Sequence, residues 1–401
     1  MDSKFDVVNE SLLEDLLKNH LGSGAKITTV TRKSIPVGEN FNSVLLRISI
    51  GYSIPTSTEE QKLSLVAKCL PDDGFLIKFS EDMKFFKREM LMYSSTLREM
   101  YSFGCLECVA PKPYAISTDP KPTILLEDLS TLDYRTASRD EGLDLNHCHF
   151  VLDRLAAFHA TSVVLHEKNP RSMHVFDQAL FADVDGMNAI MTTGFRELIN
   201  TCKRWPELKK FTSKLTPLQE GFLGNLLAAN KPSTNFNVLN HGDFWINNIM
   251  FLHDSNGHIE DVRFIDYQAL YYSSPSIDLH YFLVLGPNFQ TKHKATELLR
   301  HYHEKLIHYL LKLSAKTVPP KWDEFFEDFR SRAFYGVVTA AVTLAFMKAG
   351  NRPDSCIDSF LNSVGEEGFR YYAFNNSGYL KELTTLFTVY ESLGVFQQNN
   401  I

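Results

Sequence analysis

The sequence predicts an α+β chain in two lobes: a five-stranded antiparallel sheet with a helix over residues 1–129, then a mostly helical lobe over residues 130–401 interrupted by one hairpin. Three observations predict it. Five short strand-like runs fall before residue 130, at 26–32, 43–50, 62–70, 111–117 and 122–129. Helical periodicity dominates afterwards. Within that helical half, two apolar runs, Ile249–Leu252 and Val262–Ile265, flank a turn. A chain of 401 residues is long enough to build two such units around large cores.

Composition narrows the partners. Forty-eight acidic residues against forty-one basic ones give a net charge of −7, which disfavours nucleic acid or an anionic membrane as main partner, because both select a basic face. The start, Met1 to Val7, has neither a basic segment nor an apolar one, so a cytoplasmic protein is expected. The most apolar window, Ala333 to Met347, falls short of the ~20 residues a membrane span needs and is expected to be a core helix. The six cysteines stand singly except Cys105 and Cys108. No second pair completes a zinc site, so reduced structural thiols are expected.

The elements follow in order. Val8, Leu12, Leu16 and Leu17 share one helical face over residues 6–20, and Gly22 and Gly24 stop that helix. Between the first two strands, Pro36 to Ser43 forms a loop with one glycine, placed where a nucleotide-covering loop, closed by Ser43, would sit. The third strand alternates with period two, so Val66 and Lys68 share a face. An ammonium among Val66, Ala67, Cys69 and Leu70 needs a partner. Ser80, followed by Glu81 and Asp82, looks like the start of the next helix. Its inward stripe of Met83, Phe86, Met90, Tyr93 and Leu97 includes Glu89. Glu89 is therefore the expected partner of Lys68. The fifth strand ends in Leu126-Glu127-Asp128-Leu129, after which the sequence turns polar at Ser130.

Beyond it, Leu143 to His166 is a long helix, in which His147 and His149, two residues apart, point to different faces. His159, His301, His303 and His308 are expected to be packed or hydrogen-bonded core residues. Residues 168–235 carry no chemical signal. Pro275 and Ser276 open another helix with Asp278 in its first turn, and residues 290–313, 321–349 and 353–393 are amphipathic helices.

The hairpin carries the chemistry. Asn256-Gly257 is a strong tight-turn signal; with those two as the turn residues, paired positions sum to 513, so Asn248 faces Ile265 and Asp266 faces Asn247. Neighbouring strands lie about 5 Å apart. The oxygens of Asn248 and Asp266 therefore emerge together beside a loop bearing Asp243, a set that suits Mg²⁺ bridging nucleotide phosphates. Asp243 is then free to take a proton from an attacking hydroxyl.

The run His241-Gly242-Asp243, Trp245, Asn248, Met250-Phe251 with Ile265-Asp266-Tyr267-Gln268 resembles the signature of the insect ecdysteroid kinase-like family, a branch of the choline and aminoglycoside kinase group with a protein-kinase-like fold. Phe86-x-x-Glu89-x-x-x-Tyr93 and Leu155 to Ala160 are similar to the family too, and the resemblance runs from about residue 35 to about residue 350. It implies ATP and Mg²⁺ as cofactors: Asp243 as catalytic base, Asn248 and Asp266 as metal ligands, and Lys68, set by Glu89, on the phosphates. Backbone groups near Glu127 and Leu129 would meet adenine. It implies a hydroxylated small molecule, such as an ecdysteroid, as acceptor, and a monomer is expected. The alternatives are a choline or amino-alcohol kinase and an ATP- or steroid-binding protein without turnover. His-Gly-Asp, Ile-Asp-Tyr-Gln and the lack of Ala-Pro-Glu disfavour a protein kinase.

Overall fold

The computed structural model describes residues 8–35, 43–350 and 352–396. A first helix, α1 (Glu10–Leu21), is capped by the Asn9 side chain and buries Leu13, Leu16 and Leu17. It packs on a five-stranded antiparallel sheet of β1 (Lys26–Ser34), β2 (Val44–Ser53), β3 (Gln61–Cys69), β4 (Pro113–Ser117) and β5 (Thr123–Glu127), ordered β1-β2-β3-β5-β4. All five expected strands are present, within a few residues of their expected ends. The α1 face of the sheet closes a small core of its own, with Leu46, Ile48, Leu65, Ala67 and Leu125.

The helix expected to start at Ser80 begins earlier and breaks. Asp73 caps α2 (Gly74–Asp82), so Ser80 lies in that helix's last turns and is buried. Lys84 then takes a left-handed conformation, φ 55°, and restarts the chain as α3 (Phe85–Leu91), which passes through a wide turn at Met92–Thr96 into α4 (Leu97–Tyr101). The polar Ser-Glu-Asp cluster imitated an N-cap, but the true cap is an Asp one helix upstream. The inward stripe itself stands: Met83, Phe86, Tyr93 and Leu97 are buried, and so is Glu89.

The rest is largely helical around a second, much larger core. The long helix α5 (Leu145–Lys168) starts at an Asp144 cap. It is the one described helix long and apolar enough to cross a membrane, and 78% of that stretch is buried inside the protein, so burial accounts for its apolar composition. The expected core helix over 333–347 is interrupted at Val342 into Ala333–Ala341 and Thr343–Ala349. Set among the helices are a three-stranded sheet, β6 (Arg135–Thr136), β8 (Ile249–His253) and β9 (Ile259–Phe264), and a two-stranded ribbon of β7 (Val238–Asn240) with β10 (Tyr271–Ser273).

The β8–β9 register sums to 513 from Ile249–Phe264 to Leu252–Asp261, as expected, by a different route. The turn is one residue longer than a two-residue hairpin: the Asp254 N–H donates to the His258 carbonyl at 2.9 Å, and Gly257 sits at φ 83°. A bulge at Glu260, just after Ile259, then restores the register. The two irregularities cancel, so the far end of the hairpin is where the simpler turn would have put it.

Candidate functional site

A cavity of about 470 Å³ lies between the five-stranded sheet and the helical part. Its apolar walls are Leu45, Val66, Leu126, Leu129, Met250 and Ile265, and its polar end holds Lys68, Glu89, Asn247, Asn248 and Asp266. The pleat of β3 delivers both Val66 and Lys68 to it, the shared face expected from their spacing.

Lys68 is 4% exposed and Glu89 1%. Lys68 Nζ lies 2.6 Å from Glu89 Oε2 and 2.5 Å from Asp266 Oδ1, with Gln268 Oε1 at 3.5 Å. Burial alone would draw the Lys68 ammonium down, but the charges of Asp266 and Glu89 more than reverse it, so its pKa lies above the ordinary value. Burial pushes the Glu89 carboxyl up to about 7 against the pull of Lys68. The pair expected from the strand and helix patterns is thus a triad, because Asp266 joins it. The expected pairing of Asp266 with Asn247 does not occur. The Ile265 N–H still donates to the Asn248 carbonyl at 3.0 Å, but Asp266 then turns out of the strand at φ 67°, a conformation Asp tolerates better than most residues.

The loop before β8 is held from behind. Gly242 has φ 82°, and a Cβ there would fall 1.9 Å from the Ala269 carbonyl oxygen, so only glycine fits. The Asp278 carboxylate accepts the N–H groups of His241 and Gly242 at 2.7 and 2.8 Å, so it braces the loop from the first turn of its own helix. His159 contacts the same carboxylate at 3.1 Å and Tyr302 at 2.7 Å. His241 Nε2 donates to the Ile265 carbonyl at 2.9 Å, joining loop to hairpin.

Asp243 projects from this loop, one side chain behind the cavity wall. Asn248 Nδ2 donates to its carbonyl at 2.9 Å and to Oδ2 at 3.0 Å, leaving the Asn248 Oδ1 for the cavity. The Tyr281 hydroxyl donates to Oδ1 at 2.7 Å. Burial first, then the charge of Asp266, push the Asp243 carboxyl up to about 7, opposed by the bonds from Tyr281 and Asn248. The Asp266 carboxylate, close enough for its charge to raise the cost of ionising Asp243, makes with it a place suited to a cation.

Four of the five residues expected at a nucleotide, Lys68, Glu89, Glu127 and Leu129, line the cavity. Ser43, at the foot of β2, does not, and among the described residues its buried hydroxyl has no hydrogen-bond partner. The rest of its loop, residues 36–42, lies outside the described residues. The Glu127 side chain turns to Arg263 at 3.1 Å, and its backbone N–H donates to the Lys112 carbonyl at 2.9 Å.

Sequence reasoning missed two residues. Asp128 is 2% exposed and binds Arg47 at 2.8 Å, Ser64 at 2.7 Å and Ser130 at 2.6 Å, tying the end of β5 to β2 and β3. Burial would raise its carboxyl, but these bonds and the Arg47 charge hold it below the usual range. Nothing local in the sequence marks it. Tyr281 was legible: it stands three residues after Asp278 on one helix, so if one faces the loop, so does the other.

The profile of the ecdysteroid kinase-like family matches residues 37–315. No curated protein is similar enough to match. Among solved structures the chain is similar to a choline/ethanolamine kinase family protein from Mesorhizobium loti, at a TM-score of 0.39 and 10% identity, covering 94% of this chain and 98% of that one. With the family profile spanning well over half of its length, the chain belongs to the ecdysteroid kinase-like family.

Proposed function

We propose that the protein is a small-molecule kinase that moves the γ-phosphoryl group of ATP to a hydroxyl of an ecdysteroid or similar hydroxylated compound. The observation that carries this reading is the convergence of Lys68, Glu89 and Asp266 within 2.6 Å contacts at the polar end of an apolar cavity, one side chain away from Asp243. Family membership supports a kinase acting on small molecules; the acceptor class is our inference.

The residues fit the cofactors. Apolar walls of Leu45, Val66, Leu126 and Leu129 beside the end of β5 suit a purine, and the Asn248 and Asp266 oxygens suit a hard cation. Bound there, Mg²⁺ would neutralise phosphate charge. Lys68, kept charged and aimed by Glu89, grips phosphate oxygens. Asp243, oriented by Tyr281 and Asn248, takes the proton of the acceptor hydroxyl as its oxygen bonds to phosphorus and ADP leaves. Few side chains are needed because alignment and charge neutralisation supply most of the acceleration.

The test is Mg²⁺-dependent ADP release with and without a panel of steroids and amino-alcohols, beside mass spectrometry of a metabolite extract for products heavier by one phosphate. A phosphorylated hydroxyl compound that needs Asp243 supports the proposal. Phosphorylated choline would move the acceptor class. Turnover no different from Asp243→Asn with every acceptor would leave a binding protein instead.

A further inference from the structure

We propose a second metal site, remote from the nucleotide cavity, in which His147 and His253 hold a zinc-like divalent ion. His147 lies in the first turn of α5 and His253 at the turn end of β8, the opposite end from Asn248. The two are 106 residues apart in sequence, and their Nε2 atoms lie 3.2 Å apart. At a Zn–N distance of about 2.05 Å that separation corresponds to an N–Zn–N angle of about 100°, near tetrahedral.

The outer shell is in place. Asp144 Oδ1 is 2.8 Å from His147 Nδ1, and facing a carboxylate puts the proton on Nδ1, so the Nε2 lone pair is turned toward His253. This carboxylate–histidine arrangement is the usual support of a metal-bound imidazole. The ring edge is also set by Phe251, at 5.0 Å and 75°. His253 is exposed and His147 keeps about a quarter of its side-chain surface in solvent, which leaves room for water to complete the shell. Among the described residues no group of three or more His, Cys, Asp or Glu is placed to bind a metal. The protein therefore supplies two ligands, and the ion is exchangeable. Two imidazoles select a borderline ion such as Zn²⁺ over Mg²⁺, so this site and the cavity take different metals. Bound there, the ion would clip β8 to the start of α5.

The experiment is calorimetric titration of the metal-free protein with Zn²⁺, with Tm followed in parallel. One Zn²⁺ per chain is expected, with a rise in Tm and no displacement by a tenfold excess of Mg²⁺. His147→Gln and His253→Gln are each expected to weaken binding at least tenfold while leaving the metal-free Tm near that of the parent. Asp144→Asn keeps an acceptor for the helix cap but loses the carboxylate, and is expected to weaken binding by about tenfold. Zinc binding unchanged in both histidine variants, as it would be on the exposed thiols Cys108 and Cys356, overturns the site. So does an absence of Zn²⁺ binding, which leaves only a hydrogen bond between the two rings.

Discussion

If Asp243 serves as the proposed base, catalysis and stability oppose each other there. A general base works only when ionised. Its pKa is raised to about 7 before Mg²⁺ adds positive charge beside Asp266, so kcat/KM of the metal-loaded enzyme is expected to fall along an acid limb lying below pH 7, and a pH–rate profile flat from about pH 8 to about pH 4 would contradict that role. Asp243→Asn is expected to lower kcat by about 10²–10⁴-fold. The sign for stability is the reverse. A raised acid pKa means that the folded state holds a proton the unfolded chain has lost, so ionising Asp243 costs stability that is fully missing above pH 7. The variant should gain about 1 kcal/mol there, discounted because the side chain keeps some solvent contact, and the gain should vanish by about pH 4. Urea melts at the two pH values measure it; a variant less stable than the parent at pH 8 would reject the electrostatic account. Lys68 behaves oppositely. Lys68→Met leaves Glu89 and Asp266 facing each other without a cation, and should cost about 3–5 kcal/mol of stability as well as phosphate binding.

At the scale of elements, the loop between β7 and β8 is positioned by contacts from outside itself. Asp278 reaches it from the next helix, held in turn by His159 of α5, and the Ala269 carbonyl fills the space beside Gly242. Gly242→Ala is expected to destabilise by about 2–4 kcal/mol, because it adds a positive-φ cost to a backbone clash; a melt within 1 kcal/mol of the parent would show that the loop yields. The helix carrying Glu89 is anchored as firmly. Arg88, fully buried, donates to the carbonyls of Met83 at 2.5 Å and Leu270 at 3.0 Å, and Lys84 pairs with Asp177 at 2.9 Å. The Leu270 bond fastens α3 to the segment that follows Asp266, so the Lys68–Glu89 contact is built into the fold.

Across the whole molecule, the cavity is shared between the sheet and the helical part, and a ligand filling it touches both. Mg²⁺ with ATP should therefore raise Tm, with a stabilisation of about 2.7 kcal/mol at one hundred times Kd. A Tm indifferent to the nucleotide at millimolar concentration would argue against the cavity as its site. The two cores make such coupling necessary: α1 and one sheet face close the smaller one, while α3 and α4 belong to the larger core with the helical part.

The sequence by itself determined the five strands, the inward Glu89, the hairpin register and the family signature. Each of these is local, set by side-chain periodicity and spacing along the chain, although the hairpin register held only because a longer turn and a bulge cancel. It misplaced the start of the Glu89 helix, since a polar triplet satisfies a cap pattern whether or not the backbone needs a cap there. Only the tertiary structure decided that Asp266 joins Lys68, that Asp128 locks the end of β5, and that His147 meets His253. Those contacts join residues 64 to 198 positions apart, except for the short bond from Asp128 to Ser130. Their energies depend on burial and on neighbours brought in by folding, which no spacing along the chain encodes.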